Sequence, residues 1–371
     1  MTPSGPQITR RTLLGTMAGG AVVTTAGCLE TLGFGDTDCD FVEDADLDAA
    51  DFAWDDLPDL EGTLTVYSGR TSDQINPIFE CLEDHYDDLT INVDWGSNEE
   101  QLNKLRQEGS GTEADLFYSQ DSSALATLAH EDLTQPLSDE VQSIVAEDIR
   151  DPDGEWTATS GRVRAIQFNT DHVDREELSD DIFDYAYDDR YAGRIATRPN
   201  SGSFLAFIHA MVELHGRSET EDWVDAMVQD QDVELYGSGS TMAQAVADGE
   251  VEIALGNQYY AARLVQNDED TPIDLAFTNG DAGALFNVAG VAITEAADEP
   301  QLANHTVEHL LAAEGQYFFV HVNGEYPVID GVEYVGDLPD PDDLNSPTYD
   351  LSQLLDFDEV NEILTTYDMR V

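Results

Sequence analysis

The sequence predicts an α/β protein of two lobes joined by a two-strand hinge, with a cleft between them. Three observations point there. Strand and helix signals alternate along the chain, the pattern of a mostly parallel sheet covered by helices. Two extended apolar segments, 159–168 and 283–293, bracket a central block of about 115 residues, as a chain does when it crosses to a second lobe and returns around a hinge. Short polar turns join strand ends to helix starts, which is where α/β proteins place ligands.

The first residues stand outside the fold. "QITRRTLLGTMAGGAVVTTAGCLE" carries Arg10-Arg11 before a short apolar stretch, the form of a twin-arginine (Tat-type) export signal over residues 1–27. The stretch is shorter than the roughly 20 residues a membrane span needs. Ala26-Gly27-Cys28 resembles a lipoprotein processing site with Cys28 as the lipidated residue, although Thr25 replaces the usual aliphatic. Residues 28–60 are rich in Asp and Gly and read as an acidic tether.

Ordered structure is expected from Glu61. "GTLTVYSGR" reads as a strand, and "SDQINPIFECLEDHY" as a helix with Ile75, Ile78, Phe79 and Leu82 at helical spacing. "LTINVDWG" is a strand, "EEQLNKLRQEG" a helix stopped at Gly109, "ADLFYSQD" a strand and "SSALATLAHEDL" a helix. Strands "GRVRAIQFN" and "GRIATRPN" lead to helix "SFLAFIHAMVELHG"; "VELYG" leads to "STMAQAVADG", and "VEIALG" to "NQYYAARLVQ". "GALFNVAGVAITEAA" returns the chain, followed by helix "ANHTVEHLLAAEGQYFFVHV" and a polar tail. Lobe 1 is therefore assigned to 61–162 and 287–371, and lobe 2 to 163–286.

The 371 residues include 78 Asp and Glu against 15 Lys and Arg, a net charge of −63, yet 41% are hydrophobic. A disordered acidic chain lacks that apolar content. The balance fits a globular protein of a high-salt environment, where a Debye length of about 3 Å at molar salt tolerates the repulsion. It argues against nucleic-acid binding. Cys39 and Cys81 form an isolated pair, which in an exported protein reads as a disulfide or as two free thiols.

Four turns carry the chemistry: Ser68-Gly69-Arg70-Thr71, Asn200-Ser201-Gly202-Ser203, Ser238-Gly239-Ser240-Thr241, and Gly256-Asn257-Gln258-Tyr259-Tyr260. Each suits a helix cap, and each leaves backbone N–H groups for an anion. Tyr259 and Tyr260 add phenols with an ordinary pKa near 10. A highly charged cation displaces those protons, and phenolate oxygen suits a hard ion such as Fe³⁺. Aromatic pairs also simply pack, so both readings stand. No nucleophile elbow, P-loop, His-Glu-x-x-His or Cys-x-x-Cys occurs. His85, His130, His209 and His215 fall on predicted helices, where surface or packing roles are the default.

"LTVYSGR", "EEQLNKLRQEGSGTEADLFYSQD", "TSGRVRAIQFN", "NSGSF", "MAQAVADGEVEIALGNQYY", "DAGALFNVAGVAI", "LLAAEGQ" and "EYPV" together resemble the ferric-iron-binding proteins of bacterial ABC importers, in the periplasmic binding protein type II superfamily. The resemblance implies that Tyr259 and Tyr260 ligate Fe³⁺. It implies that Asn257 with Ser201, Gly202 and Ser203 holds a synergistic anion such as phosphate, carbonate or citrate. The first lobe departs from the pattern: Thr71 stands where many members have His, Gln120 where many have Glu, and Phe204 where others have a further tyrosine. Gly239 replaces a second anion-binding asparagine. Asp121 is a candidate oxygen donor, and Arg70 a candidate anion partner at the cleft mouth. The implied function is a monomeric, non-enzymatic binding lipoprotein on the outer face of the cytoplasmic membrane, delivering Fe³⁺ to an ABC permease and its ATPase. The alternatives are a ferric chelate or a small organic cargo of thiamine or phosphonate type. A surface enzyme would need a nucleophile–base pair that these residues do not assemble.

Overall fold

The computed structural model describes Cys39 and residues 52–329, 331–332, 334, 339, 344–347 and 357–370. The export signal and the lipidation expected at Cys28 lie outside the described residues. Lobe 1 opens with β1 (Gly62–Ser68), α1 (Ser72–His85), β2 (Leu89–Trp95), α2 (Asn98–Glu108), β3 (Leu116–Ser119), α3 (Ser122–His130), β4 (Thr134–Gln135) and α4 (Asp139–Ile144). β5 (Thr157–Asn169) leads into lobe 2, built from α5 (Asp184–Tyr187), β6 (Ile195–Thr197), α6 (Gly202–His215), α7 (Arg217–Gln229), β7 (Glu234–Leu235), α8 (Gly239–Ala247), β8 (Ile253–Asn257), α9 (Gln258–Asn267) and β9 (Ile273–Ala276). β10 (Phe286–Thr294) returns to α10 (Pro300–Leu311) and α11 (Ala313–Tyr317), and α12 (Asp358–Thr366) follows near the end.

The strands run in the order β2-β1-β3-β10-β5-β8-β6-β7, with β4 on β10 and β9 on β5. β1 lies parallel to β2 and β3, and β10 antiparallel to β3 and β5. β5 divides its pairing. Its first half, up to Val163, pairs with β10, while Arg164 to Phe168 pair with Asn257 to Ile253 of β8. The two extended segments expected to form the hinge are thus β5 and β10, adjacent and antiparallel. β5 is buried along its whole length.

Helical periodicity supplies the cores. Ile75, Ile78, Phe79 and Leu82 of α1 are buried with Leu64 and Val66 of β1. On α6 the stripe Phe204, Phe207, Ile208 and Met211 is buried together with Trp223 and Met227 of α7. Each stripe follows the 3.6-residue period and removes one helix face from water.

Two expected boundaries move. The tether expected over 28–60 gives way to packed structure before Glu61: Trp54 is 1% exposed, and its indole Nε1 donates to the His309 carbonyl at 2.9 Å. The Trp54 backbone N–H donates to the Glu314 carboxylate. Cys39 and Cys81 are joined in a disulfide with Cα atoms 5.7 Å apart. Phe52, Trp54, Leu57 and Leu60 all join the lobe 1 core, so a few apolar side chains outweigh the acidic composition around them. At the other end, α12 was assigned to lobe 1 but packs on α6 and α7 of lobe 2. Its stripe Val360, Ile363 and Leu364 is buried, and Glu359 and Glu362 pair with Arg217 at 3.3 and 3.2 Å.

Arg70, in the turn after β1, is 0% exposed and pairs with Glu325 at 2.8 Å, while its Nη1 donates to Ser160 of β5 at 3.1 Å. Arg70→Met strands the Glu325 carboxylate in the interior and should cost about 3–5 kcal/mol of unfolding free energy. Adding Glu325→Leu should recover most of that loss, measured by denaturant unfolding in molar KCl. His309 offers a second check. Its Nδ1 donates to the His305 carbonyl at 2.6 Å, leaving Nε2 to accept from the Tyr86 hydroxyl at 2.8 Å. Burial holds its pKa down to about 4, against about 6.5 unfolded. The unfolded chain therefore binds the proton first, so this contribution is complete above about pH 6.5 and is lost as pH falls toward 4. His309→Gln should flatten the pH dependence of stability in that window, by roughly 3 kcal/mol at most.

Candidate functional site

A cleft of about 950 Å³ lies between the lobes. Six helices begin on its wall: α1 at Thr71, α2 at Ser97, α3 at Asp121, α6 at Ser201, α8 at Ser238 and α9 at Asn257. Each N-terminus carries partial positive charge from its unpaired N–H groups, so the wall favours negative ligands. Ser97, Asp121, Ser201 and Ser238 cap their own helices through side-chain oxygens. The bland role of these turns and their exposure to the cleft therefore coexist.

β8 runs directly into α9, and this places the tyrosine pair. Tyr259 is 2% exposed and Tyr260 is half-buried, with ring centroids 4.2 Å apart. Arg198 Nη1 donates to Tyr260 Oη at 3.3 Å, and the Arg263 guanidinium lies over the Tyr259 ring at 5.2 Å. Burial, then the neighbouring Tyr259, pushes the Tyr260 phenol well above its ordinary value, while Arg198 and Arg263 pull it down. Asn257 caps α9 without a side-chain bond, and its Oδ1 finds no partner among the described residues. Gly239 touches the same ring: a Cβ there would sit 2.3 Å from Tyr260. No asparagine fits that position while Tyr260 occupies it, which accounts for the glycine.

The Ser201 hydroxyl accepts from the Phe204 N–H at 3.2 Å and donates to the Arg198 carbonyl at 3.0 Å. Gly202 and Ser203 contribute the first N–H groups of α6, which no carbonyl within the helix can accept. Asp121 of lobe 1 abuts this turn, since a Cβ on Gly202 would lie 2.5 Å from Asp121 Oδ2. Oδ2 also accepts from Asn98 Nδ2 at 2.8 Å. The lobes therefore meet where a carboxylate faces a helix N-terminus.

Thr71, Gln120, Asp121, Ser201, Gly202, Ser203, Gly239, Asn257, Tyr259 and Tyr260 all line this cleft. Arg70 does not. It was expected at the cleft mouth as an anion partner, but its guanidinium is buried against Glu325, so it is spent within lobe 1 and the hinge. Phe204 lies beneath the Arg164 guanidinium, 5.5 Å from ring centroid to Cζ. Among the described residues no three His, Cys, Asp or Glu side chains converge to hold a metal.

Sequence reasoning missed the arginines. Arg162, Arg164, Arg198 and Arg263 line the cleft, as do Asn98, Phe357 and Asn361. "GRVRAIQFN" held the signal: two arginines at alternate positions of an otherwise apolar strand share one face. Arg164 bonds the Leu255 carbonyl at 3.1 Å and stacks 4.6 Å from Phe207, and burial lowers its pKa to about 9.

Comparison with known proteins follows the same lines. The model of a family described as bacterial extracellular solute-binding protein matches residues 112–362. The chain is 26% identical over 281 residues to iron uptake protein A2 of Synechocystis sp., covering 73% of this chain and 79% of that protein. It is 27% identical over 277 residues to the major ferric iron-binding protein of Neisseria meningitidis, covering 71% and 80%. Iron-bound HitA from Pseudomonas aeruginosa superposes with a TM-score of 0.75 at 27% identity, covering 83% of this chain and 98% of HitA. The fold is thus the two-lobed α/β fold of periplasmic binding proteins, and the chain belongs to the bacterial extracellular solute-binding protein family.

Proposed function

We propose that this protein captures ferric iron in the inter-lobe cleft and delivers it to an ABC permease with its ATPase. The observation that carries this reading is the pair Tyr259 and Tyr260 on the cleft wall, each with a guanidinium at its ring or hydroxyl. Ligand oxygens must lose their protons to bind a metal; at Tyr260 burial opposes that loss, and Arg198 and Arg263 offset part of the opposition. Two hard, anionic oxygens suit Fe³⁺ above softer ions. The names of the relatives support the same cargo.

The turn Ser201-Gly202-Ser203, with Asn257, holds the synergistic anion, at a helix N-terminus built for negative charge. Asp121 faces this turn from lobe 1 and is the first-lobe oxygen best placed to complete the shell, ahead of Thr71 and Gln120. Export by the twin-arginine route and anchoring through lipidated Cys28 belong to the same reading, with the protein acting as a monomer on the outer face of the cytoplasmic membrane. Among the described residues no helix is long and apolar enough to cross a membrane. The acidic surface suits molar salt.

The test is a spectral titration with ferric nitrilotriacetate in molar KCl. The wild type should develop a visible phenolate-to-iron charge-transfer band. Tyr259→Phe with Tyr260→Phe should abolish the band and weaken binding at least about 100-fold, equivalent to roughly 3 kcal/mol. Unchanged affinity in the double variant would mean that the pair only packs. A colourless protein that binds thiamine or a phosphonate would assign the fold a different cargo.

A further inference from the structure

The tyrosine helix of lobe 2 is tied to lobe 1 behind the cleft wall. Tyr259, Arg263 and Gln266 stand four and three residues apart on α9 and so share one face. That face meets a π-helical turn of lobe 1, Phe318–Val322, and the residues Asn323 and Gly324 that follow it. Arg263 Nε donates to the Asn323 carbonyl at 2.8 Å, and Nη2 donates to Asn323 Oδ1 at 3.3 Å. Gln266 Nε2 donates to the Val320 carbonyl at 3.4 Å, and Gln258 Nε2 to the Gly324 carbonyl at 3.2 Å. Gly324 turns the chain at a φ of 65°, a conformation that favours glycine.

Asn323 carries the connection onward. It is 1% exposed, and its Nδ2 donates to the Gln74 carbonyl in the first turn of α1 at 2.8 Å. Gln74 Oε1 in turn accepts from the Thr71 N–H at 3.2 Å and from the Thr71 hydroxyl at 3.1 Å. Tyr259, Arg263, Gln74 and Thr71 all line the cleft. One buried amide therefore joins the two cleft walls. Its orientation is fixed chemically: a guanidinium only donates, so the amide oxygen faces Arg263, and a carbonyl only accepts, so the amide nitrogen faces Gln74. The Arg263 guanidinium also lies over the Tyr259 ring, 5.2 Å from its centroid. Its two charge-assisted bonds to Asn323 hold it in one geometry there.

We propose that Arg263 and Asn323 are positioning residues, which clasp α9 to the first turn of α1, fix the spacing of the two cleft walls and slow release of the cargo. The clasp stands on the hydrogen bonds alone; its effect on iron rests on the iron reading above. Opening that separates α9 from α1 breaks either the Arg263 fork or the Asn323–Gln74 bond. A contiguous chain of hydrogen bonds of this kind couples groups that do not touch. Thr71 on one wall and Tyr259 on the other are such a pair.

Amide hydrogen exchange on the iron-free full chain in molar KCl tests the clasp. Arg263→Gln, a change in lobe 2, should speed exchange at the start of α1 in lobe 1 at least about 10-fold, the loss expected of a charge-assisted hydrogen bond. Arg263→Lys keeps the charge without the fork and should recover part of the protection. Asn323→Asp keeps both acceptors for Arg263 and removes the donor to Gln74, so α1 should loosen while α9 stays protected. Arg175→Gln, which removes a surface cation elsewhere on lobe 2, should change neither helix. In the iron-loaded protein Asn323→Asp should surrender iron to excess chelator at least about 10-fold faster. The position of its charge-transfer band should not move, because both phenolates remain. Thermal unfolding establishes that each variant folds, and Asn323→Asp alone decides should Arg263→Gln not fold. Exchange at α1 unmoved in these variants, or changed within α9 only, would overturn the clasp. Iron release at the wild-type rate from a variant with faster exchange would overturn its role in retention. The exchange measurement uses no iron, so failure of the iron reading leaves its result intact.

Discussion

β5 has to serve two sheets at once, and the rest of the molecule follows from that constraint. Its first half is hydrogen-bonded to β10 in lobe 1 and its second half to β8 and β9 in lobe 2. A strand in that position is buried throughout, and its side chains alternate between the two faces. Arg162 and Arg164 fall on one face, so two guanidiniums are fixed in the cleft wall with little water. β8, held against β5, ends at Asn257 and releases the tyrosine pair on the same side. One strand thereby sets the hinge, the anion-favouring wall and the phenol pair in register.

Electrostatics divides the protein into an outside and an inside of opposite character. The chain carries a net charge of −63, while the cleft combines helix N-termini with arginines that have no carboxylate partner among the described residues. Such a cavity selects anions and anionic complexes in a molecule that repels them elsewhere. Arg70 shows the contrast. The same residue type is matched to Glu325 where the need is structural, tying the β1 turn to the hinge.

Much of this was legible in the residues. Helical spacing in "INPIFECL" and "SFLAFIHAM" located the helices that build each core, because a 3.6-residue apolar stripe has few alternative uses. The strand-to-helix turns located the cleft wall, and "GNQYY" located the phenols. Four features were hidden for physical reasons. Trp54 sits in an acidic run, and composition averages away a single large side chain whose burial decides the packing. Arg70 read as an anion partner at the cleft mouth because its true partner, Glu325, lies 255 residues away in the chain. The assignment of α12 to lobe 1 followed chain order, whereas its amphipathic stripe fits α6 and α7. The cleft arginines were visible as letters, but their lack of acidic partners exists only in three dimensions.

The central claim is that Tyr259 and Tyr260 hold ferric iron in a cleft that also binds its anion. Crystals grown with ferric citrate, measured on both sides of the iron absorption edge, test it directly. The account predicts one strong anomalous peak within bonding distance of both phenolate oxygens, with anion density at the turn Ser201-Gly202-Ser203. An anomalous peak elsewhere on the acidic surface, with the two rings still packed on each other and on Gly239, would contradict it.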